Sequence, residues 1–157
     1  MSVETVKAYF SQYGIADKIQ EFPVSSATVA LAAQALGCTP ERIAKTLSFK
    51  QKKAERVILI VTAGDAKIDN AKYKARFNER ALMLKSDEVE ATIGHPVGGV
   101  CPFAISSTIA IYLDESLKRF ETVFPACGSS NSAIELSIAD LERYTNFDTW
   151  IDVCKDW

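Results

Sequence analysis

The residue types with the most chemical potential fall in three short stretches: Lys45-Thr46-Leu47, Gly98-Gly99-Val100-Cys101-Pro102-Phe103 and Cys127-Gly128-Ser129-Ser130-Asn131. Adjacent glycines let the main chain come close to a ligand and adopt positive φ, and a proline two residues later stiffens the exit of the loop. Such a loop can aim backbone N–H groups at an anion or a developing oxyanion, and Lys45 can supply a mobile positive charge beside it. Lys45, Gly98 and Gly99 are therefore the candidate catalytic groups. Thr46, Val100, Cys101, Pro102 and Phe103 are candidate substrate contacts around them. The stretch from Gly128 to Ser132 is dense in short hydroxyl and amide side chains, so Gly128, Ser129, Ser130 and Asn131 could read a ribose, an adenine edge or an amine. The same dipeptides also make ordinary turns, and spacing alone leaves both readings open.

Cys101 lies inside the glycine loop and invites a thiol-nucleophile reading. A catalytic thiolate wants a partner base, and the chain has a single histidine, His95, on a Gly-His-Pro turn just before the loop. His95 could bond a substrate group or a phosphate, or could fill a turn. The four cysteines, Cys38, Cys101, Cys127 and Cys154, never approach a C-x-x-C spacing, so neither a metal site nor another cofactor is expected, and free thiols in a reducing compartment are.

The elements that position these residues can be read from periodicity and caps. Val3, Val6, Tyr9, Phe10 and Tyr13 recur at helical spacing over residues 3–13, with Gly14 at the C-terminal cap position. Residues 18–24 read as a short strand, and Ser25 to Thr28 offer N-caps to a helix from Val29 to Leu36. Pro40 suits a further helical turn, after which Lys45 stands at the entrance to a strand through Phe49. Residues 50–55 make a polar hairpin tip, and Arg56 to Thr62 is the strongest strand signal, a central strand apolar on both faces. Asp69 can cap a helix through Phe77, Ala81 to Leu84 reads as a short strand, and an acidic first turn opens a helix at Ser86 that Gly94 ends. Strands are expected near Ile109–Leu113, Thr122–Phe124 and Ala133–Leu136, then a helix from Ile138 to Tyr144. Short strands mixed with helices, without regular βαβ alternation, argue for an α+β domain with a curved mixed sheet.

A chain of 157 residues, 48% apolar and 24% charged, has the size and balance of one globular domain over residues 1–157. The N-terminus lacks a basic region followed by an apolar run, and no stretch approaches the ~18 apolar residues of a membrane span, which points to a cytoplasmic protein with no membrane partner. The formal charge of −2 hides an asymmetry: residues 1–85 carry +6 and residues 86–157 carry −8. Positive charge concentrates around Lys50, Lys52 and Lys53 and around Lys72, Lys74 and Arg76. A face holding both clusters could track a phosphate backbone, and two solvated surfaces would look the same in sequence.

The Lys45-Thr46-Leu47 segment, the Gly-x-x-x-Pro loop at 98–102 and the Gly-Ser-Ser-Asn-Ser-Ala-Ile-Glu-Leu run at 128–136, in that order, resemble the YbaK/EbsC family. Its members are free-standing aminoacyl-tRNA deacylases related to the editing domain of bacterial prolyl-tRNA synthetases. The resemblance runs from the first helix to about Tyr144. It implies a compact, barrel-like mixed sheet wrapped by helices and a trans-editing hydrolase that cleaves the ester of a mischarged, small amino acid on tRNA. It also implies that Lys45 holds the 3′-terminal nucleotide and orients the ester, and that mischarged tRNA is the partner, with no role for DNA and an aminoacyl-tRNA synthetase as a further candidate partner. Aminoacyl esters are activated, so a positioned water and a stabilised oxyanion could suffice without a covalent nucleophile. A binding module that captures aminoacyl ends, nucleotides or a protein without turnover is the alternative from a different class, and a cysteine enzyme is the third. Residues beside the lysine and after the second glycine turn, Thr46 and Asn131, vary in the family and mark where substrate choice changes.

Overall fold

The computed structural model describes residues 2–157. Helix α1 (Ser2–Ser11) turns Val6 and Phe10, one helical turn apart, into the core, where neither retains exposed surface. It stops two residues short of the expected end, and Tyr13 lies in the turn that follows. A single 3-10 turn at Ala16–Lys18 leads into β1 (Gln20–Glu21), shorter than the strand predicted over 18–24. Helix α2 (Val29–Leu36) starts as expected on Thr28, whose hydroxyl accepts the Leu31 N–H.

After a 3-10 turn at Pro40–Arg42, β2 (Ile43–Gln51) and β3 (Arg56–Ala63) form an antiparallel hairpin across the polar tip. Lys45 is therefore the third residue of a nine-residue strand and not its entrance. β4 (Lys67–Ile68) precedes α3 (Asn70–Phe77), capped by the Asp69 carboxylate, which accepts the N–H groups of Ala71 and Lys72. The stretch 81–84, expected as a strand, forms one isolated bridge, Met83 to Phe49. Next come α4 (Ser86–Ile93), β5 (Ala110–Asp114), β6 (Thr122–Pro125), β7 (Ser132–Ala133), β8 (Leu136–Ser137) and α5 (Ile138–Tyr144). β9 (Phe147–Ile151) and β10 (Cys154–Lys155) close the chain.

Six strands make one curled mixed sheet in the order β8-β6-β2-β3-β5-β9, while β1 pairs with β7 and β4 with β10 in two small antiparallel pairs. Ile58, Leu59, Ile60 and Val61 of β3 are all fully buried, the mark of a central strand covered on both faces. Helix α1 packs through Phe10 on Phe103 and Tyr144, with ring centroids 4.7 and 5.7 Å apart, and α3 packs through Tyr73 on Phe49 at 5.2 Å. Helix α2 lies on a separate small cluster with Ile43 and Phe124. At the end of β5 the buried Asp114 carboxylate accepts the N–H groups of Ser116 and Val153, each at 3.0 Å, which ties the C-terminal strands to the sheet and offsets the cost of burying the charge. The α+β single-domain architecture with a half-barrel mixed sheet agrees with the expectation from sequence.

Candidate active-site cleft

A cleft of about 370 Å³ opens along β2. Six consecutive residues, Ile43 to Ser48, line it. Neighbouring side chains on a strand point to opposite faces, so a cleft touching all of them runs along the strand's edge and not over one face. One edge of β2 pairs with β3 from Ala44 to Gln51. The other is covered at Ile43 and Ala44 by β6, and at Ser48 to Lys50 by the 82–84 segment, through Leu84 N–H to Ser48 C=O (3.1 Å) and Lys50 N–H to Leu82 C=O (2.8 Å). Between these coverings the edge is open. Ser48 and Lys50 point their backbone groups outward, away from β3, and by alternation so does Thr46. Among the described residues neither the outward N–H nor the C=O of Thr46 has a bonded partner, and its Oγ1 is buried without one.

The wall opposite β2 is mainly apolar, with Ala27, Val29, Met83, Val97, Val100 and Phe124 among its residues, and among the described residues no carboxylate or imidazole lines the cleft. Lys45 is its single cation among the described residues. The Lys45 ammonium donates to the Gly64 carbonyl at 3.4 Å, and burial pulls its pKa below the ordinary lysine value. Asp65 lies close enough to oppose that shift, yet its carboxylate is held by the Arg119 guanidinium in a two-pronged pair at 2.5 and 3.0 Å. Asp65 is thus kept from closing on Lys45 as a direct ion pair.

In the glycine loop the Gly99 N–H donates to the Pro96 carbonyl at 2.9 Å, and Gly98 has φ of +88°. That is the signature of a type II turn over residues 96–99, which demands positive φ at its third position. Gly99 answers a different constraint: a Cβ there would meet Ser129 N at 2.6 Å, Ser129 Cα at 2.7 Å and Gly128 C at 2.8 Å. The close approach expected at the glycine pair is therefore an approach of the two glycine loops to each other. The loop's expected N–H donors divide accordingly. Gly98 and Val100 line the cleft, whereas Gly99 is buried and its N–H is engaged in the turn.

The remaining sequence candidates sit behind this surface. His95, Cys101, Pro102 and Phe103 are buried and do not line the cleft. His95 Nε2 lies 2.8 Å from the Phe103 carbonyl and 3.5 Å from Cys101 Sγ, and burial lowers its pKa, so the ring is neutral and donates to the carbonyl. Burial pushes the Cys101 thiol up to about 12 and the Cys127 thiol well above its ordinary value, which keeps both protonated at neutral pH. In the second loop, Ser129 Oγ lies 2.9 Å from Asn131 Oδ1, and Asn131 Nδ2 donates to the Phe22 carbonyl at 3.0 Å. The Ser130 carbonyl accepts the Ser26 N–H at 2.6 Å. Gly128, Ser129, Ser130 and Asn131 thus clamp the 22–26 segment against the glycine loop, and of this region Ser132 reaches the cleft.

The basic clusters are exposed, but several charges are already paired. Lys50 meets Glu88 at 2.8 Å, Lys72 meets Asp152 at 3.0 Å, and Lys53 donates to the Asn78 carbonyl at 2.5 Å. Arg76 stacks over Phe77 and Tyr112, while Lys52 and Lys74 form no ion pair among the described residues. Among those residues no group of three or more His, Cys, Asp or Glu is placed to hold a metal, and no helix is long and apolar enough to cross a membrane.

Sequence reasoning did not single out the 82–84 segment, Gly64 or the Asp65–Arg119 pair. Each reaches the site through contacts remote in sequence, and only the apolar Leu82-Met83-Leu84 run had carried a local signal, that of a strand.

Residues 24–144 match the aminoacyl-tRNA editing domain family. The chain is 52% identical over 157 residues to the uncharacterised protein YwhH of Bacillus subtilis, covering 100% of this chain and 99% of that one. It is 30% identical over 115 residues, 73% of this chain and 70% of the other, to EbsC of Enterococcus faecalis, named as a candidate Cys-tRNA(Pro)/Cys-tRNA(Cys) deacylase. A crystal structure described as a candidate trans-editing enzyme for prolyl-tRNA synthetase superposes with a TM-score of 0.85 at 26% identity, covering 98% of this chain and 97% of that one. With the family spanning most of the chain and the fold shared end to end, this protein belongs to the aminoacyl-tRNA editing domain family.

Proposed function

We propose that this protein is a free-standing deacylase that hydrolyses the ester between a mischarged, small amino acid and its tRNA. The observation that carries the reading is the composition of the cleft: one partly desolvated lysine, Gly98 and Val100 of the glycine loop on its lining, an apolar wall, and, among the described residues, neither carboxylate nor imidazole. An activated ester in such a site needs orientation and oxyanion stabilisation more than a strong base or nucleophile. Water adds to the ester carbonyl, the N–H groups of Gly98 and Val100 receive the charge that develops on its oxygen, and the ribose oxygen leaves with a proton. Free amino acid and tRNA are the products. Lys45 holds the 3′-terminal nucleotide and orients the ester, its charge strengthened by the low dielectric around it. The volume of the cleft and its apolar lining suit a small, uncharged side chain.

The tRNA body would lie across the hairpin tip and α3, with Lys52 and Lys74 as the charges most available to phosphates and Lys50, Lys53, Lys72 and Arg76 contributing after release from their internal partners. A synthetase is a further candidate partner, and the reaction fits a cytoplasmic address. The test is a panel of mischarged tRNAs incubated with the purified protein. Release of one or a few amino acids at rates well above the uncatalysed reaction supports the reading. Retention of aminoacyl-tRNA without release would instead identify a binding module, and rates abolished by thiol alkylation would identify a cysteine enzyme.

A further inference from the structure

The gap in the β2 edge has a donor and an acceptor with a defined spacing. On an extended strand, the outward N–H and C=O of one residue bond a single partner residue in the hydrogen-bonded pair of an antiparallel ladder. That partner offers its own N–H and C=O from either side of one Cα. An aminoacyl ester carries the same unit: an α-ammonium that donates and an ester carbonyl that accepts, separated by one Cα. We propose, building on the deacylase reading above, that the aminoacyl group docks at Thr46 as though it were one residue of an additional antiparallel strand. The α-ammonium donates to the Thr46 carbonyl, and the ester carbonyl accepts the Thr46 N–H.

Four observations point to this residue. Thr46 is flanked on the same edge by β6 at Ile43 and Ala44 and by the 82–84 segment at Ser48 to Lys50, so the gap admits a very short extended ligand and excludes another sheet. The cleft follows this edge. A substrate ammonium must find neutral acceptors because, among the described residues, no carboxylate lines the cleft, and carbonyl oxygens are the natural choice. The Thr46 Oγ1 is buried without a partner, so a polar group on a ligand side chain lying beside it would find a hydrogen-bonding site already desolvated.

The arrangement has a consequence for selectivity. Backbone pairing reads the part common to all α-amino esters, and directly opposed residues of a pair place their side chains on the same face, so the substrate side chain sits beside that of Thr46. Thr46 then becomes both a positioning residue through its backbone and a neighbour of the amino-acid side chain through its hydroxyl. Its N–H adds one more donor to those of Gly98 and Val100 at the ester oxygen.

The experiment uses the full chain and two non-hydrolysable probes: an adenosine bearing an aminoacyl amide on its ribose, and the same compound with the α-amine replaced by hydrogen. Amide hydrogen exchange at Thr46, followed by NMR, should slow at least ~10-fold when the first probe binds, and the second should bind roughly 10- to 100-fold more weakly, the scale of one hydrogen bond from a charged donor. Thr46→Val, which keeps the backbone and removes the hydroxyl, should retain the exchange protection. A first probe that binds in a Lys45-dependent manner while Thr46 exchange is unchanged, or equal binding of the two probes, overturns this docking mode and leaves the deacylase reading standing. If neither probe binds and no mischarged tRNA is hydrolysed, the deacylase reading has failed and the docking mode falls with it.

Discussion

The two sides of the Gly98–Phe103 loop make opposite use of reactive residue types. Toward the cleft the loop presents Gly98 and Val100, one without a side chain and the other aliphatic, and neither carries a titratable group. On its other side lie His95, Cys101 and Phe103, packed into the core under Phe10 of α1. The residues a chemist would first suspect, a histidine within 3.5 Å of a cysteine, are in the dry interior, where the thiol is held protonated and the imidazole neutral. The difference shows that low dielectric activates a group only where its charged form finds a partner; without one, desolvation suppresses the charged form and turns a potential catalytic pair into packing. Lys45 marks the intermediate case, since it is partly desolvated but borders a cleft that can admit an anion.

The sharpest way to break this comparison is to remove the one charge on the cleft side. Lys45→Ala should lower deacylation at least ~10²-fold, the scale of removing a well-placed electrostatic partner, while the thermal midpoint stays near that of the parent. A variant with near-normal turnover would take Lys45 out of the site.

Gly99 belongs to the buried side despite its place in the loop. Gly99→Val puts a branched side chain against the Ser129 and Gly128 backbone, so it should cost about 1–3 kcal/mol and lower Tm by roughly 2–4 °C for each of these. Activity and stability should therefore fall together, as they would not at Lys45. Full stability with lost activity, measured by calorimetry beside the deacylation assay, would move Gly99 to the cleft side.

A smaller effect is expected outside both regions. Lys52→Gln with Lys74→Gln should weaken tRNA capture and reduce the slope of log affinity against log salt by about 1.5, roughly 0.7–0.9 for each phosphate no longer neutralised. An unchanged slope would assign both lysines to solvent.

The smallest effect on turnover should come from the buried cysteine. Cys101→Ala should keep most of the hydrolytic rate, and a trapped thioester on Cys101 would reverse the comparison outright. Its signature should appear in alkaline stability. The thiol titrates near ~8.5 when unfolded and is raised to about 12 in the fold. The unfolded chain therefore releases this proton first. The stabilising contribution is complete below about pH 8.5 and is lost as pH climbs toward 12. Denaturant melts between pH 8 and 11 should show a shallower loss in Cys101→Ala than in the parent; identical profiles would mean that burial of the thiol is relieved in solution.

Much of this molecule was legible from local signals. The caps at Thr28 and Asp69, the apolar run of β3 and the helix from Ile138 all needed information only from adjacent residues, because capping and periodicity act within a turn or two of chain. β9 and β10 escaped: Asp148 and Thr149 interrupt the apolar pattern of the first, and the second is two residues long, so both take their strand character from their partners β5 and β4.

The sequence alone determined that a lysine, two glycine loops and a set of polar short side chains would be available, and that the chain would form an α+β domain with a curved mixed sheet. Tertiary structure decided which of them line the cleft. The Gly128–Asn131 loop could be read as a substrate contact or as a turn, and it became a clamp because the backbone groups it meets, at Phe22 and Ser26, lie far away along the chain, a separation of 109 residues for the Asn131 bond. The open edge at Thr46 exists for the same reason: one covering comes from β6 and the other from residues 82–84, and a gap between two non-local partners has no pattern within β2 itself. Hydrophobic periodicity tells a strand which face to bury, but hydrogen-bonding along its edge is settled only when distant segments dock, and it is that edge which forms the floor of the cleft.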